Sequence, residues 1–326
     1  IKTVHDNIHI LHKYIKYRKE KLGVDKLHFY DLYVPLAEHE EIKLSYDEAR
    51  NLVLEAVKPL GTEYCDILHK GLYEERWVDI YENENKRSGA YSTGSYLTRP
   101  YILMNYNGTL DSARTLAHEA GHSMHSWFTH NTQSPTYGGY PIFLAEVAST
   151  FNEEMMNNYL LEKHGADKKF KAYLLTSMIE DIRATLFRQT LFAEFELKLH
   201  EMAENGVPFT ADLLKKEYMD LYRFYYGEDL VLDDELAIEW ARIPHFYYDY
   251  YVYQYATGIS AAIALYQRVA AGGKQVLEDY LGFLKAGNSR YPLDILRSAG
   301  VDMSKSEPIA AAISYFDELL TELQNC

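Results

Sequence analysis

The sequence predicts a mainly α-helical fold with a small β-sheet, and three stretches carry this prediction. Residues 45–61 open with a capping box formed by Ser45 and Glu48, and their apolar residues recur at helical spacing until a Pro and a Gly end the pattern. Residues 171–206 keep helical spacing for longer and end at an Asn-Gly pair. Residues 89–110 are instead rich in Gly, Ser, Thr and Tyr, a composition that favours strands and turns.

The other elements follow in chain order. Residues 74–88 are charged, and we expect a helix at first and then a loop. YILMNY, residues 101–106, is predicted to be a strand in a sheet of two or three strands, because Pro and Asn-Gly bound it. Apolar periodicity predicts further helices at 110–128, 143–165, 210–222, 247–271, 276–286 and 307–323. No repeat or low-complexity linker interrupts the pattern, so residues 1–326 are predicted to form one domain.

Composition limits the classes of partner. Of the 326 residues, 47% are hydrophobic and 25% charged, as in soluble globular proteins. The net charge of −15 would repel phosphates, so no nucleic acid partner is expected. No apolar run approaches the roughly 18 residues of a membrane span, so no membrane partner is expected either. The sequence does not indicate an oligomeric state.

The cysteines and the first residues bear on cellular location. Cys65 and Cys326 are the two cysteines, and a structural disulfide between them is not expected, which favours a reducing, cytoplasmic setting. The first residues are polar and charged, unlike a secretory signal. The first residue is not Met, so we expect a processed form or the C-terminal part of a longer chain.

The stretch TLAHEAGHSMH, residues 115–125, carries a His-Glu-x-x-His pattern on a predicted helix. His118 and His122 are four residues apart, which puts both imidazoles on one face of the helix, as a zinc ion requires. Glu119 lies at the edge of that face and is predicted to be the general base that acts on the attacking water. Gly121 leaves room for another element to pack closely. The alternative is an amphipathic helix with two surface histidines.

A catalytic zinc site needs a third protein ligand, and Glu146 in FLAEVASTFNE is the best candidate. Its neighbours in the chain are apolar, so its charge needs a partner, although a surface glutamate remains the alternative. Glu153, two helical turns further on, is well placed to orient a ligand histidine. The alternative is a surface carboxylate. His125 is predicted to be structural or to support the ligands.

Three segments, HEAGHSMH, LAEVASTFNE and RIPHFYYDYYVYQYATG, resemble the oligoendopeptidase F family of thimet-oligopeptidase-like zinc metallopeptidases. The resemblance covers almost the whole chain and implies a multi-helix zincin-type metallopeptidase domain with its small β-sheet near the active-site helix. Family members are longer and have additional N-terminal helices, so residues 1–326 resemble the C-terminal catalytic portion. One Zn²⁺ per chain, held by His118, His122 and Glu146, and oligopeptide substrates are implied.

The resemblance also implies that a His followed by Tyr-x-x-Tyr stabilises the oxyanion of the reaction, here His245, Tyr250 and Tyr253. The two tyrosines are three residues apart and would be neighbours on a helix, near the same face as His245. Alternative pairs at this spacing come from Tyr247, Tyr248 and Tyr251, and an aromatic core stripe is a further alternative. The strand near Tyr101–Asn105 is a candidate for binding extended peptide by β-addition.

The sequence therefore predicts a zinc-dependent endopeptidase that hydrolyses internal bonds of oligopeptides. A zinc carboxypeptidase of related helical fold is one alternative. A helical binding module in which the histidines are structural is the other.

Overall fold

The computed structural model describes residues 1–37 and 42–326 of the chain. The helices are α1 (Lys2–Asp6), α2 (Ile8–Leu22), α3 (Tyr46–Ala56), α4 (Gly61–Tyr73), α5 (Leu110–Thr132), α6 (Ile142–His164), α7 (Lys168–Ile182), α8 (Arg188–Glu204), α9 (Ala211–Tyr226), α10 (Tyr253–Ala270), α11 (Lys274–Leu284), α12 (Pro292–Ser298) and α13 (Glu307–Gln324). The strands are β1 (Leu27–His28), β2 (Val78–Asp79), β3 (Tyr91–Thr93), β4 (Tyr101–Leu103) and β5 (Leu230–Val231). The predicted mainly helical fold with small sheets is confirmed.

The chain divides into two compact units, where the sequence predicted one domain. The first unit comprises Ile1–Glu38, Lys168–Thr257 and Ile309–Cys326, and the second comprises His39–Asp167 and Gly258–Pro308. Two of the boundaries, after Thr257 and before Ile309, fall inside α10 and α13. None of the described helices is both long enough and apolar enough to cross a membrane.

In the second unit, side-chain caps fix the starts of two helices. Ser45 and Glu48 form the predicted capping box at α3, in which the Ser45 hydroxyl accepts from the Glu48 backbone N–H and the Glu48 carboxylate accepts from the Ser45 N–H. Thr109 caps α5 by accepting from the backbone N–H of Ser112 at 3.2 Å. The register of α5, which carries the His-Glu-x-x-His pattern, is thus defined from its first turn.

The small sheet of the second unit has the strand order β2-β4-β3. The central strand β4 pairs parallel with β2 and antiparallel with β3. The predicted helix at the start of residues 74–88 is wrong, because this segment leads into β2. Trp77 is 1% exposed, and its backbone carbonyl accepts from the N–H of Ile102. Burial of the indole and pairing with β4 therefore outweigh local helix propensity.

In the first unit, α7 and α8 continue one another through a π-helical segment, Arg183–Phe187, so the long helix predicted from residue 171 is present. This segment is buried at Leu186 and Phe187, and the Phe187 ring packs on Phe316 of α13 with ring centroids 5.2 Å apart. The first unit also contains a second, two-stranded parallel sheet of β1 and β5, which the sequence did not predict.

The helix predicted at 247–271 begins later, at Tyr253. The preceding Pro244–Tyr248 form a 3₁₀ helix, and the chain then passes through Asp249 and Tyr250, with φ of 40° and 54°. A right-handed helix cannot continue through residues with positive φ. The predicted start was therefore wrong by six residues.

Candidate metal centre and active site

Helices α5 and α6 of the second unit bring together the three predicted metal ligands. His118 and His122 lie on one face of α5, and Glu146 lies on α6. The helices cross at Gly121, where an added Cβ would lie 2.6 Å from the backbone oxygen of Ala148 and 2.7 Å from the Cα of Ser149. Only glycine permits this approach, and the predicted role of Gly121 in close packing is confirmed.

The donor atoms of the three residues converge. One atom from each of His118, His122 and Glu146 lies within 4.8 Å of the other two. Glu146 Oε2 is 3.4 Å from His118 Nε2 and 3.6 Å from His122 Nε2. Two ligands that each lie about 2.1 Å from a zinc ion at tetrahedral angles are about 3.4 Å apart. The separations and the chemistry of the donors therefore fit a zinc ion.

Two further side chains hold the ligands in place. Glu153, two turns after Glu146 on α6, contacts Nδ1 of His118 through a carboxylate oxygen. This contact leaves Nε2 of His118 directed to Glu146 and free to bind a metal. The Ser149 hydroxyl, one turn after Glu146, donates to Glu146 Oε2 at 3.2 Å and to the Glu146 carbonyl at 3.1 Å.

Glu119 is 6% exposed, and its Oε2 has no hydrogen-bond partner among the described residues. A buried carboxylate oxygen without a partner is costly, so this oxygen, on the residue next to His118 in the chain, indicates a place for a polar group such as water. Burial raises the pKa of the Glu119 carboxyl to about 7, although the nearby His118 opposes the shift. A carboxyl with a pKa near neutrality is suited to accept and return a proton.

The electrostatics of the centre favour a cation. Burial works against protonation of His118, but hydrogen bonds with Glu146 and Glu153 outweigh it and raise the pKa of His118 to about 10. Burial, followed by the charge of His118, lowers the pKa of His122 to about 4. Burial also disfavours charge on Glu146, but the two histidines outweigh this effect and lower its pKa. The carboxylates thus stabilise positive charge between the rings, where a divalent ion would lie.

His125 lies one turn beyond His122 but does not join the centre. Its ring is fully buried, stacks on Tyr140 with centroids 3.7 Å apart and lies 5.1 Å from the Phe283 ring. Neither ring nitrogen has a hydrogen-bond partner among the described residues. Of the two roles predicted for His125, the packing favours the structural one.

The first unit contains the predicted oxyanion residues, and here the structure differs from the expected grouping. His245 lies in the 3₁₀ helix, and its ring neighbours are Tyr248, Tyr251 and Tyr255, with centroids 6.2, 5.5 and 6.0 Å away. Tyr255 also brings its hydroxyl to 3.4 Å from His245 Nε2. We call these four residues the His245 cluster.

Tyr250 and Tyr253 lie outside the His245 cluster. The Tyr250 ring stacks on His200 of α8 with centroids 4.5 Å apart, and both tyrosines line a cavity of about 250 Å³ within the first unit. The expectation that they share a helical face with His245 is wrong, because the positive φ angles at Asp249 and Tyr250 interrupt the helix. Their role in the reaction stays a prediction.

The family described as "Peptidase family M3" matches residues 1–315. The chain belongs to peptidase family M3. The resemblance inferred from the sequence is therefore confirmed.

One relative of this M3 chain is oligopeptidase PepF of Bacillus subtilis, which is 50% identical over 99% of the chain and 48% of the relative. Another is group B oligopeptidase PepB of Streptococcus agalactiae, which is 45% identical over 100% of the chain and 54% of the relative. The crystal structure of oligoendopeptidase-F from Enterococcus faecium superposes with a TM-score of 0.76 at 39% identity, covering 99% of this chain and 51% of that one. The M3 chain thus spans about half the length of the curated relatives it matches.

Sequence reasoning missed two contacts of the M3 centre. Ser149 stands three residues after Glu146, and this helical spacing was an available signal. Ser92 of β3 hydrogen-bonds the Glu119 carboxylate through its backbone, and its hydroxyl lies 2.8 Å from that of Ser123. Nothing local in the sequence marks Ser92, since strand pairing and packing on α5 place it there.

The strand proposed to bind peptide also needs correction. β4 is the central strand and is paired on both sides, by β2 and by β3. Its backbone groups are therefore not free for β-addition, and the prediction for Tyr101–Asn105 is wrong for the paired residues Tyr101–Leu103.

Proposed function

We propose that this M3 chain is the catalytic part of a zinc-dependent endopeptidase that hydrolyses internal bonds of oligopeptides. The observation that carries the proposal is the convergence of His118, His122 and Glu146, together with the unpaired, buried oxygen of Glu119, the residue next to His118 in the chain. The names of the relatives, oligopeptidase and oligoendopeptidase, support the substrate class.

Each residue of the centre has a chemical role in this proposal. His118, His122 and Glu146 would hold one Zn²⁺, which would act as a Lewis acid that activates water and polarises the scissile carbonyl. Glu119 takes the proton of the attacking water on its unpaired Oε2 and delivers it to the leaving amine. Glu153 keeps His118 in the orientation that presents Nε2, and Ser149 does the same for Glu146 Oε2.

His245, Tyr250 and Tyr253 are proposed to donate hydrogen bonds to the oxyanion that forms on the substrate carbonyl. One such donor contributes roughly 3 kcal/mol to transition-state stabilisation. Because His245 contacts Tyr248 and Tyr251 instead, single Tyr→Phe variants at these four tyrosines decide which phenol acts. The acting phenol is the one whose removal lowers kcat and leaves KM unchanged.

The decisive experiment combines zinc quantitation with mass spectrometry of the products from a mixed peptide pool, with and without a chelator. We expect about one zinc per chain and internal cleavages that stop when the metal is removed. His118→Ala should lose the metal by elemental analysis. Absence of stoichiometric zinc would reject the hydrolase and favour the helical binding module.

The pattern of cleavage products distinguishes the proposed endopeptidase from a zinc carboxypeptidase. A zinc carboxypeptidase would release C-terminal residues one after another and leave internal bonds intact. Peptides blocked at the C-terminus by amidation sharpen the comparison, because the endopeptidase should still cleave them. A cytoplasmic location is also proposed, and it is consistent with the free thiols of Cys65 and Cys326.

A further inference from the structure

Two features of the first unit meet at the turn that precedes α10. The first is the backbone of Asp249 and Tyr250, with φ of 40° and 54°. Positive φ costs an L-residue other than glycine about 1–2 kcal/mol, and a bulky residue such as Tyr rarely adopts it. Two such residues in succession persist only when their surroundings hold them in place.

The second feature is the carboxylate of Glu196 on α8, which is 3% exposed. Its Oε1 accepts the backbone N–H of Tyr250 at 2.7 Å, while its Oε2 has no hydrogen-bond partner among the described residues. Burial raises the pKa of Glu196, and the Tyr250 N–H opposes the shift. A half-satisfied buried carboxylate destabilises a fold, so its presence at a strained turn indicates a specific use.

The same helix also holds the side chain of Tyr250. His200, one turn after Glu196 on α8, stacks on the Tyr250 ring with centroids 4.5 Å apart. Tyr250 is thus held at its backbone by Glu196 and at its ring by His200. The turn cannot shift without breaking both contacts.

The turn links the two halves of the His245 cluster. His245 and Tyr248 precede it in the 3₁₀ helix, while Tyr251 and Tyr255 follow it. Rings from both sides contact His245, at 6.2 Å for Tyr248 and 5.5 Å for Tyr251. The path of the chain through Asp249 and Tyr250 therefore determines where the phenols and the imidazole point.

We propose that Glu196 is a positioning residue, which fixes the left-handed turn at Asp249 and Tyr250 and thereby orients His245 and its neighbouring tyrosines for the reaction. The proposal rests on the proposed function, in which this segment stabilises the oxyanion. Glu196 itself does not touch substrate in this proposal.

The test compares Glu196→Ala, which removes the acceptor, with Glu196→Gln, which keeps an oxygen in its place. In the zinc-loaded protein, Glu196→Ala should lower kcat by about 10- to 100-fold with little change in KM, as misplacement of a transition-state contact does. Glu196→Gln should retain most of the activity. Hydrogen exchange should accelerate in residues 247–253 of Glu196→Ala and stay slow in Glu196→Gln.

Glu194 provides a matched control on the same helix. Its carboxylate binds His5 Nε2 at 2.7 Å and the Tyr225 hydroxyl at 2.8 Å. Glu194→Ala therefore loses comparable contacts but should leave both kcat and the exchange of residues 247–253 unchanged. If Glu196→Ala fails to fold, Glu196→Asp, in which the carboxylate is drawn back by one methylene, should show the same effects in weaker form.

His245→Ala separates failure of this proposal from failure of the proposed function. If His245→Ala lowers kcat while Glu196→Ala behaves like Glu194→Ala, the positioning role of Glu196 is overturned and the proposed function stands. A normal kcat in His245→Ala would reject the use of the whole segment in the reaction. Glu196 would then be only a structural anchor, even if its loss accelerates exchange.

Discussion

At the scale of single residues, the centre depends on what each polar atom contacts. Glu119 differs from Glu146 and Glu153 because one of its buried oxygens has no partner. Glu146 Oε2 lies near both histidine rings, and Glu153 contacts the far side of His118. Three carboxylates within one centre therefore have different tasks, set by their hydrogen bonds.

Glu119→Gln should keep zinc and lose turnover. The amide has nearly the shape of the carboxylate but cannot accept a proton, so kcat should fall by about 10²- to 10⁴-fold. Zinc content by elemental analysis and kcat on one defined peptide check this. Glu55→Gln on the exposed face of α3 is the control and should match the unsubstituted protein. Full activity in Glu119→Gln would remove Glu119 as the base.

His125 gives a prediction about stability and pH. Burial lowers the pKa of its ring from 6.5 to about 3, and the nearby His122 adds to the shift. Below pH 6.5 the unfolded chain binds a proton that the folded chain excludes, so this residue should lower the free energy of unfolding as the pH falls towards 3. The expected slope is about 1.4 kcal/mol per pH unit.

His125→Phe should remove this contribution, because a phenyl ring does not titrate. Urea unfolding at several pH values between about 4 and 8 measures how the free energy of unfolding changes with pH. The variant should lose less stability than the parent on acidification. An equal loss in both proteins would show that His125 does not contribute.

At the scale of elements, helical spacing made the centre predictable. His118 and His122 share a face of α5 because they are four residues apart, and the structure keeps that helix intact. The tyrosine segment shows the opposite case. Its aromatic residues also have helical spacing, but contacts with α8 hold a left-handed turn in their midst.

The crossing of α5 and α6 makes Gly121 sensitive to substitution. Gly121→Ala places a Cβ 2.6 Å from the Ala148 backbone oxygen, so the helices must separate. We expect a loss of about 1–3 kcal/mol in unfolding free energy and reduced zinc binding. Chemical unfolding and zinc titration measure the two effects.

Gly282→Ala in α11 is the matched control, because an added Cβ there has no atom within 4 Å. Alanine favours the helix over glycine, so this variant should gain about 0.5–1 kcal/mol in stability. Equal stability of the two variants would contradict the importance of the close crossing.

At the scale of the whole molecule, the chain forms two compact units. The second unit contains the proposed metal ligands and Glu119, and the first contains the His245 cluster. The curated relatives are about twice as long as this chain. Limits on substrate size are therefore a property to measure and not one to carry over from those relatives.

Zinc should stabilise the second unit, since an ion that binds only the folded state shifts unfolding by mass action. With free zinc at about 100 times its dissociation constant, the gain is about 2.7 kcal/mol. Chelation should therefore lower Tm, and added zinc should restore it. The Tm of His118→Ala should not respond to zinc, and a parent protein that is equally unresponsive would argue against the centre.

The sequence by itself determined the helical character, the spacing of the candidate metal ligands and the family. Capping residues, apolar periodicity and the four-residue spacing of two histidines are local properties, which survive in any fold that keeps the helix. Only the tertiary structure decided that Trp77 leads into a strand, that Ser92 reaches Glu119 and that Tyr250 leaves the His245 face. Those outcomes depend on burial and on hydrogen bonds between residues far apart in the chain, and such contacts override local propensity.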